Sequence, residues 1–169
     1  ENSLYAQMWG CAGVMPSYEY QHIPGIDFLG RVMASPLAAK QVGSVSSQLG
    51  KKQILSETFG CSGWDTTPIE LRFLAETQYV YGVNLMCLHL MNYSLQSQGK
   101  LDHPPSFSKH MTWWNKEFKV FNDFFAHLGA LLCETEEVVG SLIISPLHGI
   151  YAKYIRNNEE ETIKLSREF

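Results

Sequence analysis

The run KKQILSETFGCSGWD, Lys51 to Asp65, decides how the rest of the chain is read. Gln53 to Ser56 has the length and apolar character of a short strand. Where it stops, a carboxylate, Glu57, is followed by Gly60, Gly63 and Trp64. Thr66 or Thr67 then caps a helix opening on Pro68, whose fixed φ and missing N–H suit a first helical turn. That helix is expected to run to about Tyr81, with Ile69, Leu71, Phe73, Leu74 and Val80 on its apolar face, and Gly82 ends it. Val83 to Leu88 is a second unbroken apolar run, the type found where both faces of a sheet are covered. Strand, helix and strand in this order predict a parallel βαβ unit with a right-handed crossover.

The same alternation continues on either side. Ser35 to Leu49 is helical in composition, with Pro36 placed for its first turn and Gly50 for its C-terminal cap. Before it, Val14 to Tyr20 is expected to be a strand opening into the loop His22 to Asp27, and Leu4 to Cys11 the end of a helix. After the second apolar strand comes a polar, proline-bearing loop, Asn92 to Thr112. It exceeds the usual upper length of about 12–15 residues for an unstructured connection, and loops of that kind are often functional. A helix follows from about Trp113 to Cys133 with Phe118, Phe121, Phe125 and Leu128 as its inward stripe. Trp113 and Trp114, adjacent in the chain, cannot share one helix face. Ser141 to Ser145 (SLIIS) has the composition of another buried strand, followed by Pro146 and a helix drifting into the solvated acidic run Glu159 to Glu161. The fold class is therefore α/β, built from parallel βαβ units.

Composition narrows the partners. The chain has 169 residues, 45% hydrophobic and 12% aromatic, enough for a packed core. A net charge of −4, from 13 basic and 17 acidic residues without a basic cluster, leaves no electrostatic footprint for nucleic acid or anionic lipid. No apolar run approaches the roughly 20 residues of a membrane span and no signal segment is present, so a cytoplasmic location is expected. The first residues, Glu-Asn-Ser, lack an initiator methionine, as a piece of a longer protein would. Cys11, Cys61, Cys87 and Cys133 form no CxxC pair and are expected to be reduced, buried thiols. The six histidines show no metal-ligand spacing, so neither a metal nor another cofactor is expected.

In parallel α/β architectures ligands sit at the C-terminal ends of strands. Glu57, His89 and the loop from Tyr18 to Asp27 are expected at such ends. For Glu57 the plain alternative is a salt-bridged surface carboxylate; the functional reading is preferred because Gly60 and Gly63 let backbone approach a ligand and Trp64 supplies an aromatic wall. A carboxyl in such a pocket serves as general acid when neutral, and as nucleophile or base when ionised. His89 on its own is as easily a satisfied core histidine as a functional one. Tyr18, Glu19 and Tyr20 offer hydrogen bonding beside ring faces, a mixture suited to sugars and also common in cores.

Four motifs, Tyr18-Glu19-Tyr20 with Ile23-Pro24-Gly25-Ile26-Asp27, Ser56-Glu57-x-x-Gly60-x-x-Gly63-Trp64-Asp65, Gly82-Val83-Asn84 with His89 and Tyr93-Ser94, and Asp102-x-Pro104-Pro105-Ser106, occur in an order and spacing that resembles the α-L-rhamnosidase-like group of large bacterial glycoside hydrolases. The resemblance spans about Tyr18 to Pro146. It implies a (β/α)8 barrel of which residues 1–135 are the C-terminal part, the Ser-Glu and Gly-Val-Asn segments being its last strands. Residues 136–169 would open a following α/β domain resembling the glutamine-amidotransferase fold. It further implies hydrolysis of an O-glycosidic bond by a carboxylate pair with Glu57 as one member. Tyr18, Glu19, Asp27, Trp64, His89 and Tyr93 would be contacts to an oligosaccharide or glycoside substrate. The second carboxylate is expected upstream of this chain, with Asp27 and Glu19 the nearby-strand acids within it, and the rest of the same polypeptide is needed to close the barrel. The stretch Gln96 to Lys100 is less basic than the group's pattern. A non-catalytic carbohydrate-binding module and an inactive structural fragment are the rival readings.

Overall fold

The structure is a computed structural model that describes residues 14–32, 35–111, 113, 116–145 and 148. Its centre is a parallel sheet of three four-residue strands, β1 (Gly25–Phe28), β2 (Leu55–Thr58) and β3 (Leu85–Leu88), side by side in chain order. Four α-helices accompany them among the described residues: α1 (Met15–Glu19), α2 (Leu37–Gln48), α3 (Pro68–Val80) and α4 (Glu117–Cys133). The mixed α/β class and the parallel pairing follow the sequence reading.

The β1–α2–β2 and β2–α3–β3 units form for local reasons. At the start of α3 the Thr67 hydroxyl accepts the Glu70 amide while the Glu70 carboxylate accepts the Thr67 amide, a reciprocal capping box with Pro68 in the first turn. At its end the chain turns at Gly82, φ +111°, where a Cβ would lie 2.9 Å from the Cα of Gly43 in α2. Two glycines thus let the end of one helix touch the middle of the other. The strand entries are tied by Asn84, whose side-chain oxygen accepts the Ile54 amide at 2.8 Å and whose amide donates to Lys52 O at 2.7 Å.

The two faces of the sheet differ. On one, Ile26, Ser56 and Thr58 are buried. Gln78 of α3, fully buried, bridges the two hydroxyls: Ser56 Oγ donates to its Oε1 at 2.5 Å and its Nε2 donates to Thr58 Oγ1 at 3.0 Å. Every polar atom in this bridge is paired, so a glutamine is tolerated in the core. On the other face stand Gly25, Leu55 and Leu85 in one row and Asp27, Glu57 and Cys87 in the next, and none of the six is buried. Phe59, Phe107, Phe118, Phe121 and Phe125 build an aromatic cluster that fastens α4 and the long loop to the core, with ring centroids 4.7–6.3 Å apart along its contacts.

Several expectations are corrected. Val14 to Tyr20 is not a strand: α1 occupies it, with Pro16 in the first helical turn and Tyr18 turned into the core. The second strand begins two residues later than expected, so Glu57 lies within β2 rather than beyond it. On α3 the inward stripe is Leu71, Leu74, Ala75, Gln78 and Tyr79, whereas Ile69, Phe73 and Val80 point outward. Its spacing i, i+3, i+4, i+7, i+8 is that of a single helical face, and the outward three fall off it. Cys61 and Cys87 are exposed thiols, not buried ones. Ser141 to Ser145 forms no strand, and Leu142, Ile143 and Ile144 are exposed: among the described residues no strand pairs with this apolar run. Trp113 packs on Phe118 at 5.6 Å between centroids. The expected helix at Leu4 to Cys11 and the one after Pro146 lie outside the described residues.

Candidate functional site

The strand register places Asp27, Glu57 and Cys87 as Cα neighbours across the sheet, one residue short of the C-terminal end of each strand. Glu57 keeps 44% of its side chain exposed, and His89, two residues beyond Cys87, brings Nε2 to 3.6 Å from its Oε1. The backbone amide of His89 donates to Thr58 O at 2.9 Å, extending the ladder past the end of β3 and fixing where the imidazole starts.

Gly60 shows why glycine is needed beside this pair. A Cβ there would lie 3.0 Å from both His89 Cγ and Leu29 Cδ2, so the imidazole rests against bare backbone. The ring of His103 stacks on His89, centroids 4.8 Å apart and planes at 30°. His103 Nδ1 is 2.7 Å from Asp102 Oδ1.

The loop that delivers Asp102 and His103 is tied down along its length. Phe107 N donates to Leu90 O, Asn92 N to Ser106 Oγ, Asn92 Nδ2 to Gly99 O and Gly63 N to Pro104 O, all between 2.8 and 3.1 Å. The Trp64 indole N–H donates to Lys100 O at 2.8 Å, so this ring, 42% exposed, joins the β2–α3 loop to the long loop. A 3₁₀ turn, Ser97–Lys100, helps to frame an open depression of about 350 Å³ lined by Gln98, Gly99, Leu101 and Asp102.

Arg31, just after β1, holds the neighbouring loop. Its Nε and Nη2 donate to the two oxygens of Glu70 at 2.9 and 3.0 Å, and Nη1 donates to Asp65 Oδ2 at 2.9 Å. The guanidinium holds the Asp65 carboxyl below its usual range. Glu70 is also lowered, chiefly by the Thr67 amide and hydroxyl and then by Arg31, and Arg31 is raised in return, by Asp65 first and then Glu70. A bidentate guanidinium–carboxylate pair has a fixed geometry as well as charge, so it sets the position of the segment that bears Trp64.

Of the residues expected at the site, Asp27, Glu57 and His89 come together, and Trp64 stands on the loop that follows β2. Tyr93 is fully exposed on the long loop. Tyr18 and Glu19 are elsewhere. Tyr18 is 1% exposed, a core residue of α1. Glu19 is exposed, and its carbonyl accepts Lys51 Nζ at 2.9 Å, on the side where β2 begins. A helix that precedes β1 feeds the start of that strand, so the Tyr18–Gln21 segment lies at the end of the sheet opposite Glu57; its expected place at strand C-termini is corrected. His103 and Arg31 were not singled out from the sequence, and Asp102 entered only as the first residue of the motif Asp102-x-Pro104-Pro105-Ser106, with no role at the site. An Asp-His pair next to two prolines in an overlong loop is the sequence signal for Asp102 and His103.

Among the described residues no group of three or more His, Cys, Asp and Glu side chains is arranged to hold a metal ion, and no helix is long and apolar enough to cross a membrane. No protein-family model matches the chain, and no curated protein matches it either.

Proposed function

We propose that this chain is part of a glycoside hydrolase in which Glu57 is one of the two carboxylates flanking the scissile bond. The observation that carries the reading is the row Asp27–Glu57–Cys87 on the less buried face of the sheet, near the C-terminal ends of three parallel strands. Below it the row Gly25–Leu55–Leu85 is apolar on the same face. Apolar side chains at the bottom and acids at the top are what the inside of a (β/α)8 barrel presents when part of its wall is removed. Consecutive strand order with the helix-side face buried supports the same architecture, closed by the rest of the polypeptide.

Adjacent strands lie about 4.8 Å apart. Asp27 and Glu57, side by side on one face, would therefore hold their carboxyl groups near the roughly 5–5.5 Å separation of retaining enzymes rather than the 6.5–9.5 Å of inverting ones. In that arrangement one carboxylate attacks the anomeric carbon as the other protonates the departing oxygen, and water then releases the sugar with the proton returned. Asp27 is the acid that register brings to Glu57, and it replaces Glu19 as the partner to be tested within this chain. Trp64 supplies a face for a sugar ring, and His89 a hydrogen-bonding group beside Glu57; an α-L-rhamnoside is the first substrate to try.

The test is Glu57→Gln in the intact enzyme, assayed against aryl glycosides and oligosaccharides. Hydrolysis falls by at least about 100-fold, the lower bound for losing a positioned acid–base group, while oligosaccharide binding measured by calorimetry persists. Binding without hydrolysis in the unaltered enzyme would instead assign a carbohydrate-binding module, and neither would leave a structural piece.

A further inference from the structure

We infer that Asp102 and His103 form a positioning pair for His89, and through it for the Glu57 carboxylate. Its consequence for turnover rests on the glycosidase reading above; the geometry does not.

Glu57 sits at the end of a chain of contacts that begins on the long loop. Asp102 Oδ1 accepts from His103 Nδ1 at 2.7 Å, the His103 ring lies over that of His89 at 4.8 Å, and His89 Nε2 faces Glu57 Oε1 at 3.6 Å. The Gly60 backbone also comes close to the imidazole, since a Cβ there would lie 3.0 Å from His89 Cγ. The His89 ring thus has a second ring stacked on it and backbone nearby, and the stacked ring restricts its orientation. The His89 side chain is 15% exposed, and its Nδ1 is buried with no hydrogen-bond partner among the described residues.

A neutral imidazole carries its proton on one nitrogen only. Against a carboxylate the Nε2–H form is favoured, while a proton on Nδ1 would be a buried donor left unsatisfied. Among the described residues nothing bonded to His89 Nδ1 selects the tautomer, in contrast to the usual carbonyl or carboxylate partner. Orientation must come from packing, and His103 provides it. The loop adopts an uncommon backbone to do so: His103 has φ +45°, in the left-handed region that His, with Asn and Asp, enters more readily than other residues bearing a Cβ. Pro104 O, accepting the Gly63 amide, and the Asp102 contact hold it there.

The measurement is the pair of side-chain ¹⁵N shifts of His89 by NMR in the whole protein, in unaltered form and in His103→Ala, His103→Phe and Asp102→Asn. The expected result is a single Nε2–H pattern in the unaltered protein, averaging toward a mixture of tautomers in His103→Ala, and restoration by His103→Phe, which keeps a stacking ring without the charge. Asp102→Asn gives partial averaging. Unaltered His89 shifts in His103→Ala, or in Asp102→Asn, or no restoration by His103→Phe, overturn the positioning pair. Should His103→Ala fail to fold, Asp102→Asn against His103→Phe decides by the same shifts. Because the readout is a tautomer and not a rate, it stands apart from Glu57→Gln, whose full activity would overturn the glycosidase reading alone. With that reading intact, His103→Ala lowers kcat by about 10-fold at little changed KM, a share of the 100-fold or greater effect of an acid–base group.

Discussion

Glu57 is the residue on which the functional reading turns, and its surroundings explain a neighbouring sequence choice. Gly60 is needed because His89 and Leu29 occupy the space a methyl group would take, both at 3.0 Å. Gly60→Ala is expected to push the imidazole away from Glu57 and to destabilise the protein by about 1–3 kcal/mol, the range for overpacking a filled site; thermal melting and the His89 NMR signals measure the two effects separately. At this scale the sequence was informative where chemistry is local. A carboxylate followed by glycines and an indole made Glu57 a candidate, and the structure sets His89 beside it. It was uninformative where the partner comes from far along the chain: Asp102 and His103 reach His89 only because a loop folds back, and no local pattern records that. Tyr18 misled for the same reason, since a tyrosine in an amphipathic five-residue helix looks in sequence like one beside a ligand.

Among the elements, α3 was the most legible, because Thr67, Pro68 and Glu70 spell its start and Gly82 its end. Its inward face was legible in part: Leu71 and Leu74 are buried as expected, whereas Gln78, which bonds to Ser56 and Thr58, holds a core position that its polarity hides in the sequence. Two titrations test how this layer is held. Tyr79 of α3 is 6% exposed, and burial pushes its phenol from 10.0 up to about 12. The folded state therefore keeps a proton that the unfolded chain loses. The contribution is whole below pH 10 and is lost as pH rises toward 12. Tyr79→Phe, which cannot ionise, is expected to show a shallower fall in stability over that interval in alkaline denaturation monitored by circular dichroism. At the acid end the sign is reversed. Asp65 and Glu70 lie below their ordinary values of 3.8 and 4.5, so the clamp on Arg31 is complete above those values and is lost as pH falls beneath them. The amide signal of Thr67, bonded to Glu70, is expected to move in that acid range. Arg31→Gln should move the midpoint upward, and an unchanged midpoint would show that Arg31 does not hold this loop.

For the whole molecule, the parallel α/β arrangement was legible because alternating apolar runs and capped helices leave few other topologies. What lay beyond reading was which sheet face is covered, since that depends on chain that is not adjacent in sequence. SLIIS illustrates the limit: its composition is that of a buried strand, yet Leu142, Ile143 and Ile144 are exposed in the absence of a pairing strand among the described residues. The half-buried face, the edges at β1 and β3 that no strand among the described residues pairs, and the outward Ile69, Phe73 and Val80 together form the kind of surface that associates in water. These 169 residues expressed alone are accordingly expected to self-associate in light scattering, and, on the barrel proposal, a longer polypeptide with further strands is expected to be monomeric or of defined order. Cooperative unfolding of a monomer from the isolated chain would argue for a self-contained α/β fold instead.

The central claim, that the Glu57 carboxylate takes part in breaking a glycosidic bond, is tested most directly by chemical rescue of Glu57→Ala in the intact enzyme with an activated aryl glycoside. Loss of turnover, recovered on adding azide and accompanied by a glycosyl azide product, is the expected result. Undiminished hydrolysis by Glu57→Ala without azide would contradict it.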